Sequence, residues 1–238
     1  MTERIRKTEE FLRTKLGESP YFIKKPESRD YRLEHSFRVA RIAGEIARAE
    51  GMDEEAMIIA GPLHDVSYCL EFDENGWKNH GRTAAHIARP FLETLGLPQP
   101  VMQDILFGIA IHVDDEADFD GERTPFALTV GDADNIDRFD AYRLYETLES
   151  VGYSKLNLAQ KRAHTDKMLE KLEAFLEMKF ATNAATELWK QRIGFYVDFY
   201  RRLSAQIEMS EGYVTEKQTE YADLPDANRN LVGLSRHF

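Results

Sequence analysis

The chain has 238 residues, 42% of them hydrophobic, a formal charge of -11 and one cysteine. That length and apolar content allow one substantial core with a smaller appended lobe, and Cys69 alone excludes an internal disulfide and fits a reducing compartment. The acidic balance, with a pI near 5.2, excludes the broad basic surface that extended nucleic acid requires. A small anionic substrate stays compatible wherever a metal supplies positive charge locally.

The first residues, Met1 to Gly17, lack the apolar core of a signal sequence. No apolar run approaches the roughly 18 residues of a membrane span, so a cytoplasmic protein with no membrane partner is expected. Phe11, Leu12 and Leu16 predict a short helix that ends at Gly17 to Pro20, followed by a connector from Tyr21 to Asp30. Between Tyr31 and Ala49, apolar residues recur at spacings of three and four and carry His35 toward the interior. Asp53 caps the next predicted helix, whose stripe of Ala56, Ile59, Ala60 and Leu63 ends at His64 and Asp65, with Pro62 as a source of a kink.

Residues 70–79 have no helical stripe and read as a loop that leads into His80. A helix over 82–95 buries Ala85, Ala88 and Leu92, and the pattern of Val101, Met102, Ile105 and Ile109 ends at His112. The acidic run from Asp114 to Asp120 is a loop. Thr124 and Pro125 start a helix that carries Leu128 and Asp132 toward Phe139. Beyond Asp140, two amphipathic stripes predict covering helices, one from Met168 to Phe180 and one from Leu188 to Ile207. The aromatic residues Phe195, Tyr196, Phe199 and Tyr200 fit a core or an interface between like chains, and the tail after Met209 is polar and less regular. No alternating strand emerges, and the predicted fold class is all-α. The expected divisions are residues 1–30, a core at 31–140 and a helical extension at 141–238 packed on that core.

Two polar residues at the end of a buried helix are costly without partners, so His64 and Asp65 read as a site rather than as surface. Alone, His35 reads equally as a satisfied core histidine and Asp132 as a surface acid. Combined, His35, His64, Asp65 and Asp132 offer a mixed imidazole and carboxylate set that suits Mn, Fe, Mg, Ni, Co or Zn, and His80 and His112 add a second ion with Asp65 bridging. His86 reads as a packing residue, and His164 and His237 as surface. Arg38, Lys78, Arg82 and Arg138 lie within about a turn of these ligands and are candidate phosphate contacts. Arg38, three residues after His35, is the leading one and a catalytic candidate with Asp65, which would orient the attacking water.

The residues quoted carry a resemblance. His35 in Glu-His-Ser-x-Arg-Val-Ala, His64 and Asp65 in Gly-Pro-Leu-His-Asp-Val, His80 in His-Gly-Arg-Thr-Ala-Ala-His-Ile-Ala, His112, and Asp132 in Gly-Asp-Ala-Asp-Asn-Ile-Asp resemble the HD-domain metal-dependent phosphohydrolases over about Tyr31 to Phe139. The resemblance implies an HD-domain-like helical bundle in which His35, His64, Asp65 and Asp132 hold one divalent ion. It implies further that His80 and His112 hold a second ion with Asp65 shared, and that the reaction is hydrolysis of a phosphate ester or anhydride in a nucleotide or other small phosphorylated metabolite. Two other classes stand beside it: a di-iron oxygenase of the same broad fold, and a non-catalytic metal-binding regulatory module.

Overall fold

A computed structural model describes residues 1–72 and 76–211. The expected irregular tail from Gly212 onward, His237 within it, and residues 73–75 of the expected loop lie outside those residues. Among the described residues there is no strand, and the fold is all-α.

Two compact units emerge, one of residues 1–137 with 180–186 and one of 138–179 with residues from 187 onward. Residues 1–30 therefore group with the helices that follow them and do not stand apart. The first unit begins with α1 (Glu3–Gly17), started by Thr2, whose hydroxyl accepts from the Ile5 N–H at 3.3 Å. The expected connector at 21–30 is instead helical. Ser19 caps α2 (Pro20–Lys24), and Pro26 opens α3 (Pro26–Glu50), because a proline at the first helical position loses no hydrogen bond. Gly51, at φ 69°, ends α3, and the Asp53 carboxylate accepts from the Ala56 N–H at 3.0 Å to begin α4 (Glu54–Leu63).

Gly61 sets how closely α3 and α4 approach. A Cβ there would lie 2.5 Å from the Ala40 Cα, so only glycine allows this crossing, which lies one turn or so from both His35 and His64. Short 3-10 turns at Val66–Cys69 and Gly76–Asn79 lead into α5 (His80–Glu93). The helices α6 (Gln99–Ile111) and α7 (Pro125–Asp137) complete the unit, with α5 packed on α6, α6 on α7 and α3 on α7. Fully buried Leu12, Val39, Met57, Ile59, Leu63, Ile105 and Val130 fill its centre.

The second unit holds α8 (Ala141–Ser150), which the stripes did not predict, and α9 (Leu158–Phe175), begun by a reciprocal cap between Asn157 and Gln160. It also holds the greater part of α10 (Asn183–Ser210). Its core is aromatic: the Phe139 ring lies 4.9 Å from that of Trp189 and 5.3 Å from that of Tyr196. Tyr196 and Tyr200 are buried there, Phe199 is half-buried and Phe195 is exposed, so the aromatic stripe is mostly core. His164, expected at the surface, is buried against Tyr153 and Tyr200.

Candidate metal centre

Four imidazoles and two carboxylates converge inside the first unit. His35 comes from mid α3, His64 from the C-terminal end of α4 and His80 from the first residue of α5. His112 follows the last residue of α6, and Asp134 lies on the inner face of α7. Asp65 sits where α4 gives way to the 3-10 turn, and its backbone leaves the helical path there, which frees the carboxylate to enter the cluster. The Ser67 hydroxyl donates to the His80 carbonyl at 2.9 Å and ties that turn to the start of α5.

Each ring has its Nδ1 engaged. In His64, His80 and His112 that nitrogen meets the backbone carbonyl three residues earlier, on Gly61 (2.5 Å), Trp77 and Ile109 (2.7 Å) respectively. In His35 it meets Asp137 Oδ2 at 2.8 Å. With each Nδ1 engaged in this way, the network turns the four Nε2 atoms toward one place, and a ring that is neutral and donates through Nδ1 has a lone pair there for a metal. His64 Nε2 is fully buried and has no hydrogen-bond partner among the described residues. A buried lone pair without a donor is costly, and a cation is the partner that fits it.

The two oxygens of Asp65 divide the cluster. Oδ2 lies 3.5 Å from His35 Nε2 and 3.3 Å from His64 Nε2, and Asp134 Oδ1 lies 3.2 Å and 3.8 Å from the same two nitrogens. Oδ1 lies 3.3 Å from His80 Nε2 and 3.8 Å from His112 Nε2, which are 3.1 Å from each other. Ligands about 2.1 Å from a common ion stand roughly 3.0–3.4 Å apart, so both groups are close to coordination spacing. The donors are imidazole and carboxylate without thiolate, which fits Mn, Fe, Co, Ni, Mg or Zn.

Asp132 is not among them. Two positions before Asp134 on a helix point the other way, and the Asp132 carboxylate accepts from the Ala181 N–H at 2.9 Å instead. Burial pushes its pKa up to about 7, partly opposed by that hydrogen bond. Asp134 stands in the position expected for Asp132.

The cationic candidates also separate. Arg38 donates from Nε and Nη2 to the Asp137 carboxylate, at 2.8 and 3.0 Å, and Asp137 in turn holds His35; the geometry makes Arg38 a positioning residue for His35 rather than a contact of reacting atoms. Arg82 is paired with Asp114 through both terminal nitrogens, at 2.8 and 2.9 Å, and Lys78 is exposed beside Trp77. Arg138 belongs to the second unit. His86, expected to pack, is exposed and meets Asp118 at 2.7 Å. The cation that reaches the cluster is Arg32, paired with Asp65 Oδ2 and stacked 3.6 Å over the Tyr68 ring.

Electrostatics follow from these contacts. Burial opposes charge on His35, but hydrogen bonds to Asp134, Asp137 and Asp65 outweigh it and hold its pKa well above the ordinary value. Burial likewise opposes ionisation of Asp65, yet His64 and Arg32 beside it keep it well below the usual carboxylate range. The centre gathers negative charge that suits a divalent cation.

A helical bundle with this His, His-Asp, His, His, Asp order defines the class. Residues 32–139 match the HD domain family, and this segment of the chain is an HD domain. Ribonuclease Y of Mycoplasma mycoides is 41% identical over 61 residues, 26% of this chain and 14% of that protein. Ribonuclease Y of Oleidesulfovibrio alaskensis is 34% identical over 83 residues, 35% of this chain and 14% of that protein. The aligned part thus spans 14% of the length of these curated relatives. The crystal structure of a predicted HD superfamily hydrolase from an uncultured Thermotogales bacterium superposes with a TM-score of 0.56 at 20% identity, covering 84% of this chain and 91% of that one, a likeness of fold. No helix among the described residues is long and apolar enough to cross a membrane.

Proposed function

We propose that the chain is a metal-dependent phosphohydrolase acting on a nucleotide or other small phosphorylated metabolite. The observation that carries this reading is the convergence of four Nε2 nitrogens around the two oxygens of Asp65, with Asp134 closing one side. His35, His64, Asp65 and Asp134 would hold one divalent ion and Asp65, His80 and His112 a second. Bound there, such ions lower the pKa of water and polarise a phosphoryl group. The chain's own residues do the rest. The Nδ1 hydrogen bonds aim the imidazoles, Arg38 and Asp137 fix the His35 ring, and Arg32 presents a fixed positive charge at the edge of the cluster for a phosphoryl oxygen.

The Ribonuclease Y relatives favour a second reading, in which the scissile bond is a phosphodiester of RNA. The formal charge of -11 opposes a long polyanion and supports a small substrate. The test is elemental analysis of the purified chain followed by a phosphate-release screen over nucleotides, phosphodiesters and sugar phosphates with Mn, Mg, Fe, Ni and Co, with a short oligoribonucleotide alongside. Turnover of small monoesters that disappears in His64→Ala and Asp65→Ala supports the proposal, and cleavage confined to the oligoribonucleotide moves it to the second reading. Two irons per chain with oxygen consumption and no phosphate release would replace it with the oxygenase class, and activity unchanged by both substitutions would leave a non-catalytic metal module.

A further inference from the structure

The segment that follows His112 is fastened to the helix that begins with His80. Arg82, His86 and Arg89 lie four and three residues apart and so share one face of α5. Asp114, Asp118 and Phe119 meet that face in the same order. Arg82 pairs with Asp114, His86 Nε2 lies 2.7 Å from Asp118 Oδ2, and the Arg89 guanidinium sits 5.1 Å from the centre of the Phe119 ring. Phe119 in turn packs with Phe107 and Ile111 of α6. The acidic run read from the sequence as a loop is thus a strap laid along α5, with its Asp114 and Asp118 carboxylates engaged by that helix.

The contact nearest the candidate metal centre differs from the others. His86 and Asp118 are each about half exposed, where an ion pair contributes little. Arg82 and Asp114 are mostly buried, and the guanidinium fork joins two turns of the chain. Nη1 donates to Asp114 Oδ1 at 2.8 Å and to the Glu116 carbonyl at 3.1 Å, and Nη2 donates to Asp114 Oδ2 at 2.9 Å and to the Asn79 side-chain oxygen. Asn79 immediately precedes His80, while Asp114 and Glu116 follow His112 by two and four residues. Between those two, Asp115 has φ 65°, a left-handed backbone that costs a residue with a side chain about 1–2 kcal/mol. Such a turn persists where its surroundings hold it, and Arg82 holds it from both sides. The contacts therefore reach the turns that carry the His80 and His112 rings, whose Nε2 atoms stand 3.1 Å apart. None of these partners lies on α3, α4 or α7, which carry His35, His64 and Asp134.

Resting on the two-ion reading above, we infer that Arg82 is a positioning residue for the second ion alone. By clamping the turn before His80 to the turn after His112 it sets the spacing of the two rings, and so decides whether the chain holds two ions or one. The experiment titrates Mn or Co alone into the purified, chelator-treated chain by calorimetry, with elemental analysis of the stoichiometry. The parent should take up two ions. In Arg82→Gln the first ion should bind within about twofold of the parent and the second more weakly by about tenfold or more, the range found when outer partners of ligating histidines are lost. Asp114→Ala, which removes the other member of the pair, should show the same selective loss. Arg82→Lys keeps the charge but not the fork and should recover only part of the affinity. His86→Ala, which loosens the strap farther along α5, should bind both ions as the parent does. Two ions bound at parental affinity in Arg82→Gln and Asp114→Ala overturn the role and leave the two-ion reading standing, whereas a single ion in the parent overturns that reading and the role with it. A merely structural role would lower the melting temperature of the chelated chain and weaken both ions alike, and that result, or an equal loss in His86→Ala, also overturns the inference.

Discussion

Asp134 and Asp132 sit two positions apart on one helix and have opposite prospects. Asp134→Ala removes an oxygen 3.2 Å from His35 Nε2, and the expected outcome is loss of bound metal and of turnover by at least about 100-fold, read by elemental analysis and phosphate release. Asp132→Asn keeps an acceptor for the Ala181 N–H and should leave metal content unchanged. It should change the pH dependence of stability. Folded Asp132 keeps its proton to about pH 7, whereas the ordinary value is 3.8, so the folded state binds more protons between them and stability falls as pH rises through that window. Denaturant titrations from about pH 4 to about pH 8 should show this slope in the parent chain and its reduction in Asp132→Asn. His35 supplies a second pH effect of opposite sense. Its raised pKa means that protons compete with metal, so apparent affinity should climb with pH by up to about tenfold per unit below the ring's raised pKa and level off above it. Metal titration against a competing chelator measures it. The helix phase of α7 makes the choice of acid legible in retrospect: Ala127, Val130, Asp134 and Asp137 share the inward spacing of three and four, and Asp132 does not. Arg32 was equally accessible to the reasoning that selected Arg38, since each lies three residues from His35. Which of them finds Asp137 and which finds Asp65 is decided by tertiary contacts that periodicity does not encode.

The centre is built at helix ends, and its precision depends on how closely those ends approach. Gly81, the residue after His80, faces the end of α6: a Cβ there would lie 2.6 Å from the Ala110 carbonyl oxygen, 2.9 Å from that of Ile109 and 3.1 Å from His112 Nδ1. Two of these atoms are backbone and cannot yield without separating α5 from α6. Gly81→Ala is therefore expected to cost about 1–3 kcal/mol of stability and to move His80 away from His112. Metal stoichiometry should drop on the His80 and His112 side while the His35, His64 and Asp134 side keeps its ion, and titration with Mn or Co followed by elemental analysis would show one site lost. Equal loss of both ions would mean that the two groups of ligands are not separable. The long apolar stripes made α3 through α7 readable in the sequence, because each buries one face. The short α2 was not, since five residues are too few to display a period and its start depends on Ser19 and Pro20. The α8 stretch, Ala141–Ser150, is ten residues long and buries Leu144 alone while exposing Tyr142 and Tyr145, so a search for repeated buried apolar positions passes over it.

The two compact units divide the chain's thermodynamics as well as its contacts. The candidate metal ligands all belong to the first unit, and the second has its own aromatic core around Phe139, Trp189 and Tyr196. Ligand binding stabilises only the structure that must be folded to bind it, by about 2.7 kcal/mol at a free concentration about 100 times Kd. For a unit of this size, at roughly 3–4 °C per kcal/mol, chelating the metal should lower the first unit's Tm by roughly 8–11 °C. The two tryptophans allow the units to be followed separately, because Trp77 lies in the first and is partly exposed near His80, while Trp189 is fully buried in the second. In Trp77→Phe, fluorescence reports the second unit alone. Its melting midpoint should stay within about 2 °C on chelation while the calorimetric transition of the first unit moves by the larger amount. A Trp189 transition that moves by the full amount would mean that both units unfold as one cooperative block, and the metal's stabilisation would then be shared by the whole molecule rather than confined to the helices whose ends hold it.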